Sequence, residues 1–232
     1  MKVLIIVPSY NEALNIEKTI NDIKVNTNYD YLIVNDCSKD DTINICKKNQ
    51  FNVMSLPVNY GLTSAIQIGM KYAHERNYDI AIQFDGDGQH KAEFIKDLVA
   101  KIEAGCDIAI GSRFVNEKKP KSLRMLGSRI LTGAIKITTG KTIKDPTSGM
   151  RAFNKETIKE FVINPSLTPE PDTLVYMIKK GKKVEEVQVE MKEREHGESY
   201  LNPVKSIEYM VNMFFSILFI RAITTKEGGK NK

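Results

Sequence analysis

The sequence predicts an α/β fold: a mostly parallel, twisted sheet with helices on both faces, followed by an amphipathic C-terminal helix. Three observations support this. Over the first 115 residues, short apolar runs alternate with stretches of helical periodicity, the pattern of successive βαβ units. Polar clusters follow the runs directly, where open parallel sheets bind ligands outside the carboxyl ends of their strands. The most apolar segment comes last, after the alternation has stopped.

Taken in order, "KVLIIVP" reads as a strand and "NEALNIEKTINDIKV" as the amphipathic helix behind it. Its five-residue apolar run stops at Pro8, too short for a targeting segment and right for a buried first strand. "YDYLIVNDCS" and "DDTINICKKN" form the next strand and helix, then "FNVMSLP" and "TSAIQIGMKYAHERN". "DIAIQFDGD", "AEFIKDLVAKIEAG" and "CDIAIGSRF" complete the series as strand, helix and strand. The runs are apolar without alternation, as expected of strands buried on both faces. Beyond residue 115 a basic, helix-prone segment (118–139) precedes "DPTSGMRAFN", where Pro146 and Gly149 punctuate a turn. Ser148 and Arg151 read as residues of that turn. A helix at "PDTLVYMIKKG", a strand at "KVEEVQVEM" and the polar stretch "KEREHGESYLNP" lead to the apolar end.

At 232 residues, 41% apolar and 27% charged, the chain suits one globular α/β domain with a short appendage. The net charge of +5 is localised: nine Lys or Arg stand against only Glu117 between Arg113 and Lys144. Such a block is a solvated face or a contact for phosphate or anionic lipid. Cys37, Cys46 and Cys106 lack metal-ligand spacing, and their odd number points to a reducing cytoplasm without a disulfide framework.

The run "IAIQF" ends in Asp85 and Asp87, with Gln89 and His90 close behind. Two like charges so near repel unless a cation, solvent or hydrogen bonds compensate. Asp85, Asp87 and Gln89 have the 1, 3, 5 spacing of an EF-hand loop. His90 stands where that loop needs glycine and Lys96 where it needs glutamate, which excludes calcium of that kind. A divalent ion shared with a phosphate-bearing substrate is the second candidate. The bland alternative leaves Asp85 in solvent and Asp87 capping a helix. No G-x-G-x-x-G follows a strand and no G-x-x-x-x-G-K-[ST] occurs, so neither a dinucleotide fold nor a P-loop ATPase is expected.

In order, "VPSYNE", "NDCSKDDT", "NYGLTSAIQIG", "FDGDGQH", "GSRF", "DPTSGMRAF" and "REHGES" resemble family-2 inverting glycosyltransferases of the GT-A (Rossmann-like) fold. The similarity is greatest to dolichol-phosphate-mannose-synthase-like enzymes, which load a sugar onto a polyprenyl phosphate. It implies a GT-A domain over 1–202 and an appended apolar helix and polar tail over 203–232. The implied donor is a nucleotide sugar, UDP- or GDP-linked, and the implied acceptor is a polyprenyl phosphate such as undecaprenyl phosphate. The resemblance assigns Pro8, Tyr10, Asn11, Glu12 and Asp36 to the nucleobase and ribose. Read alone, Asp36 is equally an Asx-turn residue. Asp85, Asp87 and Gln89 would hold Mg²⁺ or Mn²⁺ with the diphosphate, Arg194 would contact the diphosphate, and Arg113 and Arg129 the acceptor phosphate. Asp87 and Asp145 are the expected catalytic residues, Asp145 lining the site with a role as base left open. A phosphate monoester, with a second pKa of about 6, is largely ionised at pH 7 and needs positioning more than deprotonation. Transfer to a saccharide or protein hydroxyl, the alternative, would need a base. Cys37 replaces the glycine usual in relatives, and Tyr200 stands where many place lysine, so the nucleotide and sugar stay open.

The run "MVNMFFSILFI" (210–220) is about half the roughly 20 residues a membrane span needs. Ile207, Met210, Val211, Phe214, Ile217 and Leu218 form a helical stripe, while Met213, Phe215 and Phe219 extend the apolar character round the helix. Burial in a membrane interface or against a partner, a small integral membrane protein or a second copy, is therefore expected over simple core packing. The expected location is cytoplasmic, peripheral at the inner face of the cell membrane, with no nucleic-acid partner.

Overall fold

The first strand, β1 (Val3–Ser9), is apolar throughout because both its faces are covered. Leu4 and Ile6 point into one core and Val3, Ile5 and Val7 into the other, the period of two expected of a strand. A computed structural model describes residues 1–192 and 208–219. After β1 come α1 (Ile16–Asn26), β2 (Asp30–Asn35), α2 (Thr42–Lys48), β3 (Val53–Ser55), α3 (Leu62–Glu75) and β4 (Ile80–Gln83). A 3-10 turn (Ala92–Phe94) leads into α4 (Ile95–Glu103), β5 (Ile108–Ser112) and α5 (Leu123–Thr139). The chain continues through β6 (Arg151–Asn154), α6 (Lys155–Ile163), α7 (Pro171–Lys179), β7 (Val184–Gln188) and a helix over 208–219, α8.

Seven strands form one sheet in the order β3-β2-β1-β4-β6-β5-β7. Only β6 runs antiparallel to its neighbours, β4 and β5. The sheet is thus mostly parallel and helix-covered on both sides, as the sequence predicts. Residues of α1, α2 and α4 fill the core on one face, and those of α3, α5, α6, α7 and α8 the core on the other. Close approach of α3 to β1 needs Gly69, since a Cβ there would lie 2.4 Å from Ile6 Cγ2.

The expectation of Arg151 as a turn residue needs correction: the segment ends in β6, and Arg151 is a strand residue only 2% exposed. Four residues are too few to display a period, and Arg151 gave the run a polar start. At the other end, α8 seats Met213 and Ile217 in the core, with Tyr209, Met210 and Phe214 partly buried against it. Its opposite side leaves Val211, Phe215 and Phe219 exposed at 48%, 52% and 66%. The helix therefore packs on its own domain and still presents an apolar row outward.

Candidate active site

The loops after β1, β2 and β4 meet where the order of parallel strands reverses around β1, the usual ligand position in such sheets. Hydrogen bonds lace the first two loops together. Asn11 N donates to Ser38 Oγ at 3.0 Å, and Asn11 Oδ1 accepts from Lys39 N at 2.8 Å. Glu12 N donates to Thr42 Oγ1 at 2.9 Å, and Ala13 N to Asp40 Oδ2 at 3.0 Å. Burial works against the Asp40 charge, yet the hydrogen bonds from Thr42 and Ala13 hold its carboxyl below the usual range. Pro8 is buried within β1, while Tyr10 is 37% exposed at the rim.

Asp36 is buried, and its two carboxylate oxygens accept from Tyr60 N and Gly61 N, both at 2.7 Å. It thereby anchors the loop entering α3, in which Gly61 takes φ +87°. Cys37 stands in the left-handed region at φ +58°. That conformation is one glycine adopts freely and costs a side-chain-bearing residue roughly 1–2 kcal/mol.

At the end of β4, Asp85 Oδ1 accepts from Gln83 Nε2 at 3.4 Å, and its Oδ2 lies 3.7 Å from His90 Nε2. Asp87 Oδ1 accepts from Gln89 N at 3.0 Å, and Gln89 Nε2 reaches Lys192 O at 3.4 Å. The sequence segment therefore folds into one tight turn carrying both carboxylates. Beside it, Gln83 Oε1 and His90 Nδ1 are buried without a hydrogen-bond partner among the described residues. Gly149, from the loop before β6, backs directly onto Asp85: a Cβ there would lie 1.8 Å from Oδ2. Among the described residues no three His, Cys, Asp or Glu side chains converge on one point, so an ion here would rest on the two carboxylates, the Gln89 amide and substrate oxygens. Such an oxygen-donor set suits Mg²⁺ or Mn²⁺.

The same loop before β6 carries Asp145, which is fully buried. Arg113 grips it with a fork: Nε donates to Oδ2 at 2.7 Å and a terminal nitrogen to Oδ1 at 2.9 Å. Glu186 of β7 fixes the loop by accepting from Asp145 N and Lys144 N, each at 2.7 Å. Behind it, Arg151 donates to the carbonyls of Ser148, Pro169 and Pro146 at 2.9, 2.6 and 2.6 Å. Full burial pushes the guanidinium pKa down, with Glu170 the foremost charge opposing that shift. Burial in turn pushes the Glu170 carboxyl up, and it accepts a hydrogen bond from Tyr209 of α8.

Next to the Arg113–Asp145 pair lies a cavity of about 280 Å³ lined by Phe114, Glu117, Lys119, Arg129, Thr132 and Lys144. Arg129 reaches it from α5 and donates to Lys119 O at 2.6 Å. The structure thus brings Arg129 to the cavity and Arg113 to its edge, over the Phe114 ring at 5.0 Å. Sequence reasoning missed Lys119, Lys144, Gly149 and Arg151. Only the density of basic residues between Arg113 and Lys144 hinted at the first two. Arg194 lies outside the described residues.

A model of glycosyl transferase family 2 matches residues 4–162. The chain belongs to that family. This glycosyltransferase is 33% identical to the dolichol-phosphate mannosyltransferase of Pyrococcus furiosus, over 98% of this chain and 71% of that protein. It is 28% identical to the undecaprenyl-phosphate mannosyltransferase of Micrococcus luteus, over 92% and 93% respectively. Among solved structures, glucosyl-3-phosphoglycerate synthase from Mycobacterium tuberculosis, in complex with Mn²⁺ and UDP-glucose, superposes with a TM-score of 0.69. That match covers 95% of this chain and 78% of the other at 18% identity, and it shows the shared GT-A fold.

Proposed function

We propose that this glycosyltransferase moves a sugar, with inversion, from a UDP- or GDP-linked donor to a polyprenyl phosphate at the cytoplasmic face of a membrane. One observation carries the reading. The carboxylate turn after β4 packs on Gly149, and four residues earlier in that loop Asp145 fixes Arg113 beside a basic cavity. A donor diphosphate on the first element and an acceptor phosphate on the second would face each other. Polyprenyl-phosphate transferases among the relatives support the acceptor class.

Asp85, Asp87 and Gln89 would hold Mg²⁺ or Mn²⁺. Bound there, the ion neutralises charge that builds on the departing nucleoside diphosphate. Pro8, Tyr10, Asn11, Glu12 and Asp36 would seat the nucleoside, with Arg194 on the diphosphate. Arg113 and Arg129 would orient the acceptor. Both oxygens of Asp145 are engaged by Arg113, so its part is to aim that guanidinium rather than to take a proton. An acceptor that arrives ionised needs no such base. Among the described residues no helix is long and apolar enough to cross a membrane. The outward rows Val211, Phe215, Phe219 on α8 and Leu126, Ile130, Ile137 on α5 support attachment at a membrane surface.

Incubation with Mn²⁺, undecaprenyl phosphate and a panel of nucleotide sugars tests the proposal. One donor should yield a sugar-linked lipid, EDTA should stop the reaction, and Mg²⁺ or Mn²⁺ should restore it. Asp87→Ala should lose at least about 100-fold in rate. Undiminished turnover in excess chelator would refute the metal role.

A further inference from the structure

The basic cavity is lined by three cations that form no direct ion pair among the described residues. Lys119 Nζ donates to Ser128 Oγ at 2.8 Å and Thr132 Oγ1 at 3.1 Å, both neutral hydroxyls. Arg129 rests on the carbonyls of Lys119 and Pro120, and Lys144 Nζ on the Val115 carbonyl at 2.7 Å. None of the three is ion-paired among the described residues, and Glu117 is the one acid lining the cavity. Arg113 differs, since Asp145 already balances its charge. Desolvation also lowers the pKa of Lys119, against the opposing pull of the Asp145 and Glu186 carboxylates.

The two hydroxyls matter as much as the charge. Ser128 is 1% exposed, and neither it nor Thr132 donates its hydroxyl hydrogen to an acceptor among the described residues. With one lone pair taken by Lys119, the Thr132 hydroxyl, which lines the cavity, is free to turn its hydrogen toward an oxyanion. Lys119 and Thr132 line the cavity with Arg129 and Lys144, and the buried Ser128 holds the Lys119 ammonium in place. The Phe114 ring also lines the cavity, with Lys119 Nζ over it at 5.6 Å. Charge and the Thr132 hydroxyl suit a phosphate dianion, and the ring suits the first carbons attached to it.

We infer that Lys119, seated by Ser128 and flanked by Thr132, is a specificity-determining element that takes the terminal phosphate of a prenyl phosphate monoester. The inference rests on the proposed function and adds three residues to its acceptor site. Lys119 reads the second negative charge, which a phosphodiester or an alcohol lacks.

Binding of geranyl phosphate without donor, measured by calorimetry on the full chain, tests it separately from turnover. Wild type should bind geranyl phosphate and not geraniol. Lys119→Met, which keeps the apolar stem, should weaken binding at least tenfold, and Thr132→Val about threefold. UDP and GDP binding should be unchanged in both. In turnover, Lys119→Met should raise KM for undecaprenyl phosphate at least tenfold and leave the donor KM within twofold. Lys119→Arg should recover part of the loss, and Lys119→Gln, expected to weaken binding as Lys119→Met does, replaces Lys119→Met if that variant fails to fold. Geranyl phosphate binding that is the same in wild type and variants would overturn the inference. Should Lys119-dependent binding be present while no donor yields a sugar-linked lipid, the cradle stands and the proposed reaction falls.

Discussion

Gly149 packs directly against the Asp85 carboxylate. Glycine is needed at 149 for space and not for conformation, because an added methyl would overlap the Asp85 carboxylate. Asp85 can rotate to relieve that overlap, and the cost then falls on its placement instead of on the fold. Gly149→Ala should therefore keep the wild-type far-UV circular dichroism and lose transferase rate by roughly 100-fold, the scale of removing one charge-stabilising element. Mn²⁺ affinity, read by titration, should fall in parallel; an active variant with unaltered Mn²⁺ binding would show that Asp85 has room to spare. The Arg113–Asp145 fork follows the same logic, since a side chain with one partner set has one direction.

At the scale of elements, β6 is the piece that assembles the site. Inserted antiparallel between β4 and β5, it starts from the loop that carries Asp145 and Gly149. Asp107 pins its far end. Its carboxylate accepts from Asn154 Nδ2 at 2.8 Å and Lys183 N at 2.7 Å, and its carbonyl accepts from Asn154 N at 3.0 Å. Burial disfavours the charge, yet the Lys183 and Asn154 hydrogen bonds and the Lys182 ammonium outweigh it and lower the folded pKa. Stabilisation from a lowered carboxyl pKa is present above the unfolded value of about 3.9 and disappears as pH falls through the folded value. Asp107→Asn should thus melt below wild type at neutral pH, with the gap narrowing as pH falls below about 3.9 towards the lowered folded value. A gap of constant size across that range would mean that Asp107 acts by shape alone.

For the molecule as a whole, α8 ties the outer surface to the interior. Its Tyr209 donates to Glu170 and its Ser216 to Asp172 at 2.6 Å, both at the start of α7. Glu170 adjoins Pro169, whose carbonyl holds Arg151 behind the "DPTSG" loop. Removal of the helix would strip Met213 and Ile217 from the core, so deletion is a poor test of membrane attachment. Substituting its outward row is a better one. Val211→Ser, Phe215→Ser and Phe219→Ser together should leave the melting temperature within a few degrees, because these side chains are half or more exposed. Co-sedimentation with anionic liposomes should drop severalfold, and turnover on undecaprenyl phosphate in vesicles with it, while donor binding persists. Unchanged liposome binding would assign the row to a protein partner.

Much was set by sequence alone: the α/β class, the parallel strands carrying the first three polar loops, and the carboxylates of β4. These follow from local patterns, as apolar runs of strand length and a paired Asp85 and Asp87 show their character without knowledge of any neighbour. Tertiary structure alone decided that Arg151 is buried, that Asp145 binds Arg113, that Lys119 faces a cavity, and that α8 is half core and half surface. Each depends on a partner brought from far along the chain, 32 residues from Arg113 to Asp145 and 39 from Glu170 to Tyr209. A side chain's charge is written in the sequence, but its surroundings exist only after the sheet has closed.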